Sequence, residues 1–334
     1  MKYIDKVYGG VEIGEPLVLE IMEAACFRRL KGIDQAGYLP LYANPKSLPL
    51  SQLQHNRFDH SVGVFILLKK FNASLEEQVS GLLHDLSHSA FSHCIDYVFD
   101  EGSETEQSYQ DDIFADFVRT TKIPSILEKY NFDLDYILNE ENFPLLEKKL
   151  PDLCADRIDY SLRSATHFQE TNTKEIKYFL DSLAIENNRW VFNDLKSAKK
   201  YALLFSNLNK NYYAGLSSAI MFRTVGDAMK HAIEKEYISK DDLWTTEDEV
   251  LAKVEKYKEK DLKMSLFLDR MNNKISFENN PNDYYARVFC KSRIVDPLFK
   301  ESDSIKRLSE VDGGWAEFVE KESKPKEYFI KFSR

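Results

Sequence analysis

Five of the seven histidines fall between residues 55 and 93: His55, His60, His84, His88 and His93. Arg57-Phe58-Asp59-His60-Ser61 opens an apolar run that reaches Phe71. His84-Asp85 closes another, with apolar positions Leu75, Val79, Leu82, Leu83 and Leu86 at helical spacing,. A third polar piece, Asp156-Arg157-Ile158-Asp159-Tyr160, lies in a later predicted helix. Together these three segments offer two imidazoles and two carboxylates, His60, His84, Asp85 and Asp156, enough to hold a divalent metal. Neighbours on a helix diverge by about 100°, so His84 and Asp85 both reach one ion only if it lies between their directions. A mixed imidazole and carboxylate set suits Fe, Mn, Co, Ni or Zn better than Ca. A lone His-Asp pair occurs by chance in many chains; the joint pattern carries the metal reading.

With 43% hydrophobic residues in 334, the chain can bury one large core or two modest ones,. Only 12 Gly and 10 Pro, with abundant Leu, Glu and Lys, favour a mainly helical protein,. A net charge of −10 argues against stable nucleic-acid binding, which draws on clustered Lys and Arg,. A local basic pocket for a small anion remains compatible with it. Cys26, Cys94, Cys154 and Cys290 form no CxxC pair and read as free thiols,. Met1–Lys6 has no apolar signal core and no apolar run reaches about 18 residues. A cytoplasmic protein with no membrane segment is expected.

The pattern predicts a short strand or turn over 1–14, a helix over 16–33 and an irregular connection over 34–56. Helices follow over 57–71, from a Ser74-Leu75-Glu76-Glu77 capping box through His88, and over 108–118, 123–130, 144–148, 151–164, 196–208 and 211–236. Residues 89–99 read as a short helix or turn, and 176–193 as a small β element. The charged run 255–263 reads as an exposed helix. Tyr284–Cys290 and Glu327–Phe332 are rich in aromatic and β-branched residues and read as strands,. The expected arrangement is a helical domain over 1–240 and a smaller α+β appendage over 241–334.

The chain resembles the HD-domain phosphohydrolase superfamily, and within it the branch of the deoxynucleoside triphosphate triphosphohydrolases. The resemblance begins at Cys26–Gly37 and continues through His55–Val64, Gly81–His93 and Ala155–Tyr160. Lys291–Pro297 also looks like a segment of other members. It implies a helical HD core and metal ligands His60, His84, Asp85 and Asp156. Asp159 would orient the helix or a base. His88 and His93 would line the scissile phosphate, with Asp96 orienting one of them. Arg57 and Arg157 would contact phosphates, and Gln35 and Tyr160 the sugar. The implied reaction is cleavage of a dNTP at the α-phosphate to nucleoside and tripolyphosphate, with one transition metal and Mg accompanying the nucleotide. Self-association into a homo-oligomer is also implied.

Two departures qualify the match. Tyr109 or Gln110 stands where the triphosphohydrolases place a further histidine, and neither titrates usefully near neutrality. Ser164 stands where they often carry a sugar-reading aspartate. Tyr212-Tyr213 could stack on a base or sugar, although aromatics there are more often core. The alternatives are a phosphomonoesterase or phosphodiesterase on another metabolite, or a nucleotide-binding protein without turnover.

Overall fold

The computed structural model describes residues 1–38, 55–302 and 304–333. The irregular connection expected over 34–56 therefore lies, for 39–54, outside the described residues. The helix Arg57–Lys70 is the axis of the fold. Phe58, Val62, Val64, Phe65, Ile66, Leu67 and Leu68 are all buried, so it runs through the interior rather than along a surface,. Asn56 caps its start, accepting from the Asp59 amide at 2.8 Å,. Helices Leu75–Leu83 and Ala155–His167 pack against it, and Leu195–Leu208 packs on the latter.

Close approach is what lets these helices carry polar groups inward. A Cβ on Gly63 would lie 2.0 Å from Arg163 Nη2 and 2.1 Å from Asp159 Oδ2. A Cβ on Gly81 would lie 2.6 Å from Leu68 Cδ1. At Gly63 a Cβ would collide with the buried Arg163–Asp159 pair, and at Gly81 it would have to push the end of the Leu68 side chain aside.

The protein is mainly α, with small sheets. Strands β1 (Lys2–Asp5) and β2 (Gly9–Glu12) form an antiparallel hairpin. Strands β3 (Leu183–Glu186), β4 (Arg189–Phe192), β7 (Leu298–Glu301) and β8 (Ser304–Arg307) make one sheet in that order, with β4 and β7 parallel. Strands β5 (Phe277–Asn279), β6 (Ala286–Cys290) and β9 (Lys326–Phe332) make another, with β9 central. Two large apolar clusters form the interior. One surrounds the axial helix. The other joins the turn 90–99, helices Leu216–Glu234 and Leu262–Met271, and the β5-β9-β6 sheet. Among the described residues no helix is long and apolar enough to cross a membrane, and the four cysteines are free.

Several local expectations need correction. The helix over 16–33 is broken at Ala24, whose extended backbone separates Pro16–Glu23 from Ala25–Arg28 and a 3-10 turn. The capping box at Ser74 is half made. Ser74 Oγ accepts from the Glu77 amide at 3.1 Å, but the Glu77 carboxylate accepts instead from the Leu145 amide at 2.6 Å. That helix ends at Leu83, so His84-Asp85 stand in the turn beyond it. Residues 144–148 contain no helix, the helix predicted from 151 begins at Ala155, and that predicted from 211 begins at Leu216 after a π-turn, Asn209–Tyr213. The run 255–263 is a 3-10 turn and the start of another helix rather than one exposed helix.

Replacing Gly63 by Ala is expected to destabilise the fold by about 1–3 kcal/mol or more, because a methyl group is forced into a filled polar core. Denaturant unfolding measures this; a Gly63→Ala protein as stable as the wild type would show that the helices separate freely.

Candidate metal centre

His60 projects from the first turn of the axial helix and is fully buried. Its Nδ1 lies 2.7 Å from Asp159 Oδ1. Asp159 is held in turn by Arg163, one turn along its own helix, with both contacts at 2.9 Å. Arg163 also bonds Asp5 of the N-terminal hairpin at 3.0 Å. This buried chain leaves His60 Nε2 pointing away from Asp159. There it meets His84 Nε2 at 3.2 Å and Asp156 Oδ1 at 2.9 Å. His84 Nε2 is 3.3 Å from the same Asp156 oxygen. Asp85 flanks the group, 3.6 Å from each of the two Nε2 atoms.

The proton inventory shows what this arrangement suits. His84 Nδ1 lies 2.7 Å from the Gly81 carbonyl, which can only accept, so Nδ1 carries hydrogen,. His60 Nδ1 faces a carboxylate and carries hydrogen as well. In their neutral forms both imidazoles therefore aim lone pairs at one another and at Asp156. Such a set needs positive charge at its centre. Burial opposes charge on His84, but Asp85 and Asp156 outweigh it and push the imidazole up to about 10. His60 is raised as well, with Asp156 and Asp159 prevailing over burial. A divalent cation satisfies the same demand with bonds to both lone pairs. Residues His60, His84 and Asp156 fit a metal by donor type, convergence and outer support,.

A second group, Glu147, Cys154 and Asp156, also converges but fits a metal poorly. Burial holds the Cys154 thiol well above its ordinary range, so it stays protonated,. Glu147 is already engaged by the Arg157 guanidinium at 3.1 Å.

The remaining sequence-predicted residues divide into two sets. Arg57 is buried beside the centre, with Nη1 on Asp85 at 2.6 Å, Nε on Ser92 at 2.7 Å and Nη2 on the Gln35 carbonyl at 3.1 Å. His88 Nε2 lies 3.2 Å from Asp85 Oδ1, and its ring meets that of His93 edge-on at 5.2 Å. Among the described residues, His88 Nδ1, His93 Nδ1 and Gln35 Oε1 are buried and lack a hydrogen-bond partner. Tyr160 packs edge-on against Tyr213 at 5.5 Å. The other set is engaged elsewhere. Arg157 spends its guanidinium on Asp152 O, Lys148 O and Glu147. Ser164 Oγ is 3.1 Å from His55 Nε2. Asp96 Oδ2 lies 3.8 Å from His93 Nδ1, beyond a hydrogen bond, while Oδ1 accepts from the Tyr109 amide at 3.1 Å,. Tyr212 stacks on Phe168 at 4.0 Å. Gln110 Nε2 donates to the Gln107 carbonyl at 3.0 Å, and the Gln110 backbone carbonyl accepts from Ser87 Oγ at 2.8 Å.

His93 follows a strained corner. Phe91 and Ser92 both have positive φ, 65° and 48°, uncommon for non-glycine residues,. Glu247 pins that corner, accepting from the Phe91 amide at 3.2 Å and from the Asp34 amide at 2.8 Å.

An HD-domain family model matches residues 57–163, which span all four converging groups. YdhJ of Bacillus subtilis is 30% identical over 308 residues, 92% of this chain and 91% of that one. The metal-dependent phosphohydrolase cns2 of Cordyceps militaris is 30% identical over 250 residues, 73% of this chain and 70% of its own. The chain belongs to the HD-domain metal-dependent phosphohydrolases. The deoxynucleoside triphosphate triphosphohydrolase SAMHD1 of Mus musculus is 26% identical over 44% of this chain and 23% of its own. The fold is also that of a phosphohydrolase from Bacteroides thetaiotaomicron, with TM-score 0.74, 17% identity and both chains fully covered.

Two parts of this phosphohydrolase's centre escaped the sequence reading. Arg163 carried a usable signal, since it follows Asp159 at the i,i+4 spacing of a helical ion pair. Asp5 carried none, being 158 residues away from Arg163.

Asp159→Asn is expected to weaken metal affinity by about 10–100-fold, the usual cost of losing a carboxylate behind a ligating imidazole. Metal affinity of the wild type is expected to rise with pH through neutrality, because protons at His60 and His84 compete with the metal. Calorimetric titration in buffers of different ionisation heat reads both; unaltered affinity in the variant and no proton release would place the metal elsewhere.

Proposed function

We propose that this phosphohydrolase acts on nucleotides, cleaving deoxynucleoside triphosphates at the α-phosphate to nucleoside and tripolyphosphate. His60, His84, Asp85 and Asp156 would hold the metal. The observation that carries the reading is the meeting of two lone-pair imidazole nitrogens on Asp156, beside His88 and His93, each with an enclosed ring nitrogen that lacks a hydrogen-bond partner among the described residues. Bound there, a divalent transition metal supplies Lewis-acid chemistry, polarising a phosphoryl oxygen and making water a nucleophile near neutral pH.

The chain's own residues do the rest. Arg57, fixed on three sides, is a preorganised positive charge rather than a mobile clamp. His88 donates Nε2–H to Asp85 and so presents a lone pair at Nδ1, suited to accept a proton from water. His93 stands across from it and is suited to serve the leaving oxygen. In the free protein both rings are neutral. Burial, then Arg57, pushes His88 down to about 3. Burial, then Arg293, Arg57 and Lys291, holds His93 well below its usual range. A bound phosphate cancels these cations and lets an imidazole hold a proton, so acid–base function belongs to the substrate complex. Gln35, with its open carbonyl oxygen, and Tyr160 would meet the sugar.

A second reading, a phosphomonoesterase or phosphodiesterase, is favoured by Arg157. Its guanidinium is committed to Glu147 and two carbonyls and is not open to a phosphate chain.

Metal-reconstituted protein incubated with each dNTP and NTP is expected to release nucleoside and tripolyphosphate, resolved by chromatography. The double variant His84→Ala/Asp85→Ala is expected to release none. Products such as nucleoside and orthophosphate from monophosphates alone would favour the second reading.

A further inference from the structure

Among the described residues, two cations near the centre have no counter-ion. Lys291 and Arg293 lie between β6 and β7, in the C-terminal part of the chain, and both are half-buried. Arg293 makes its side-chain contacts to neutral acceptors, the Gln107 amide oxygen at 3.1 Å and the Lys291 carbonyl at 3.4 Å. Among the described residues neither ion-pairs with a carboxylate. Asp111 and Glu106 pull on Lys291 only from further off, while Arg293 and Arg157 oppose its charge. Half-burying two unpaired cations costs free energy, so their retention calls for an anion.

Their placement is built rather than incidental. The π-turn Asn209–Tyr213 interrupts the passage between two helices and buries Asn209. Asn209 Oδ1 accepts from the Arg293 amide at 2.8 Å, and Asn209 Nδ2 donates to Ser292 Oγ at 3.0 Å. Ser292 Oγ donates to the Glu322 carbonyl at 2.5 Å. At the other end Gln107, which receives Arg293, donates to the Tyr97 hydroxyl at 3.1 Å. Tyr97 lies on the same 3-10 turn as His93. The cations are thus tied to the element that carries His93, and their field reaches its imidazole and the Tyr160 and Tyr213 hydroxyls.

We propose that Lys291 and Arg293 form a subsite for a condensed phosphate chain, gripping the phosphates of the substrate that the metal centre does not hold. This rests on the nucleotide reading and deepens it: the pair would select polyphosphate over monophosphate esters, supplying the contacts that Arg157 cannot. Asn209 is a positioning residue, acting through the Arg293 backbone.

The test is calorimetric titration of metal-reconstituted protein with inorganic tripolyphosphate and with orthophosphate. Tripolyphosphate is expected to bind the wild type and to weaken about tenfold or more in Arg293→Gln and in Lys291→Gln, the loss of a charge-assisted contact. Orthophosphate affinity is expected to stay the same, and Arg293→Lys to retain much of the tripolyphosphate affinity. Melting temperatures check the folds; if Arg293→Gln unfolds, Lys291→Gln decides. Tripolyphosphate binding equal in variants and wild type, absent in the wild type, or weakened no more than orthophosphate would overturn the subsite. Dependence on the pair without hydrolysis of any nucleotide would uphold the subsite and defeat the nucleotide reading, so the two fail separately.

Discussion

The buried chain Asp5–Arg163–Asp159–His60 is the constraint on which the rest of the structure depends. It joins the N-terminal hairpin, the helix Ala155–His167 and the axial helix in one polar seam inside an apolar core. Burial alone would drive the Asp159 carboxylate up, but Arg163 and His60 hold it below its ordinary value. Asp5 remains raised, burial outweighing Arg163. Removing one member of such a buried set strands the others, at a cost of about 3–5 kcal/mol. The seam also aims one ring nitrogen. With Nδ1 committed to Asp159, His60 can present only Nε2 to His84 and Asp156.

The strained corner at Phe91-Ser92 serves the same end from the other side. Two left-handed residues in succession turn the chain so that His93 faces His88, and Glu247 holds the turn through its amide contact. Glu247 comes from the C-terminal part of the chain, as do Lys291 and Arg293. The helical core carries the candidate metal-ligating groups His60, His84 and Asp156, and Glu247 holds the turn that brings His93 beside His88.

What was legible in the sequence followed from local rules. The axial helix, the terminal strands and the two histidine motifs announce themselves by periodicity and residue type, and the resemblance placed His60, His84, Asp85 and Asp156 in one set. What local rules could not show has physical causes. Glu77 completes no capping box because a buried amide, that of Leu145, competes for its carboxylate. Arg157 faces Glu147, ten residues back in sequence, and spacing alone could not show which way its long side chain turns. Asp96 Oδ1 accepts from the Tyr109 amide at 3.1 Å, nearer than His93 Nδ1 at 3.8 Å from Oδ2. The clamp of Asn209 on Arg293 spans 84 residues and depends on a π-turn that no periodic pattern encodes.

The most direct measurement is anomalous diffraction from crystals of metal-reconstituted protein, collected at the absorption edge of the bound metal. One peak bounded by His60 Nε2, His84 Nε2, Asp156 and Asp85 is the expected result. A peak held by Glu147, Cys154 and Asp156, or none at full metal loading, would contradict the assignment of the centre.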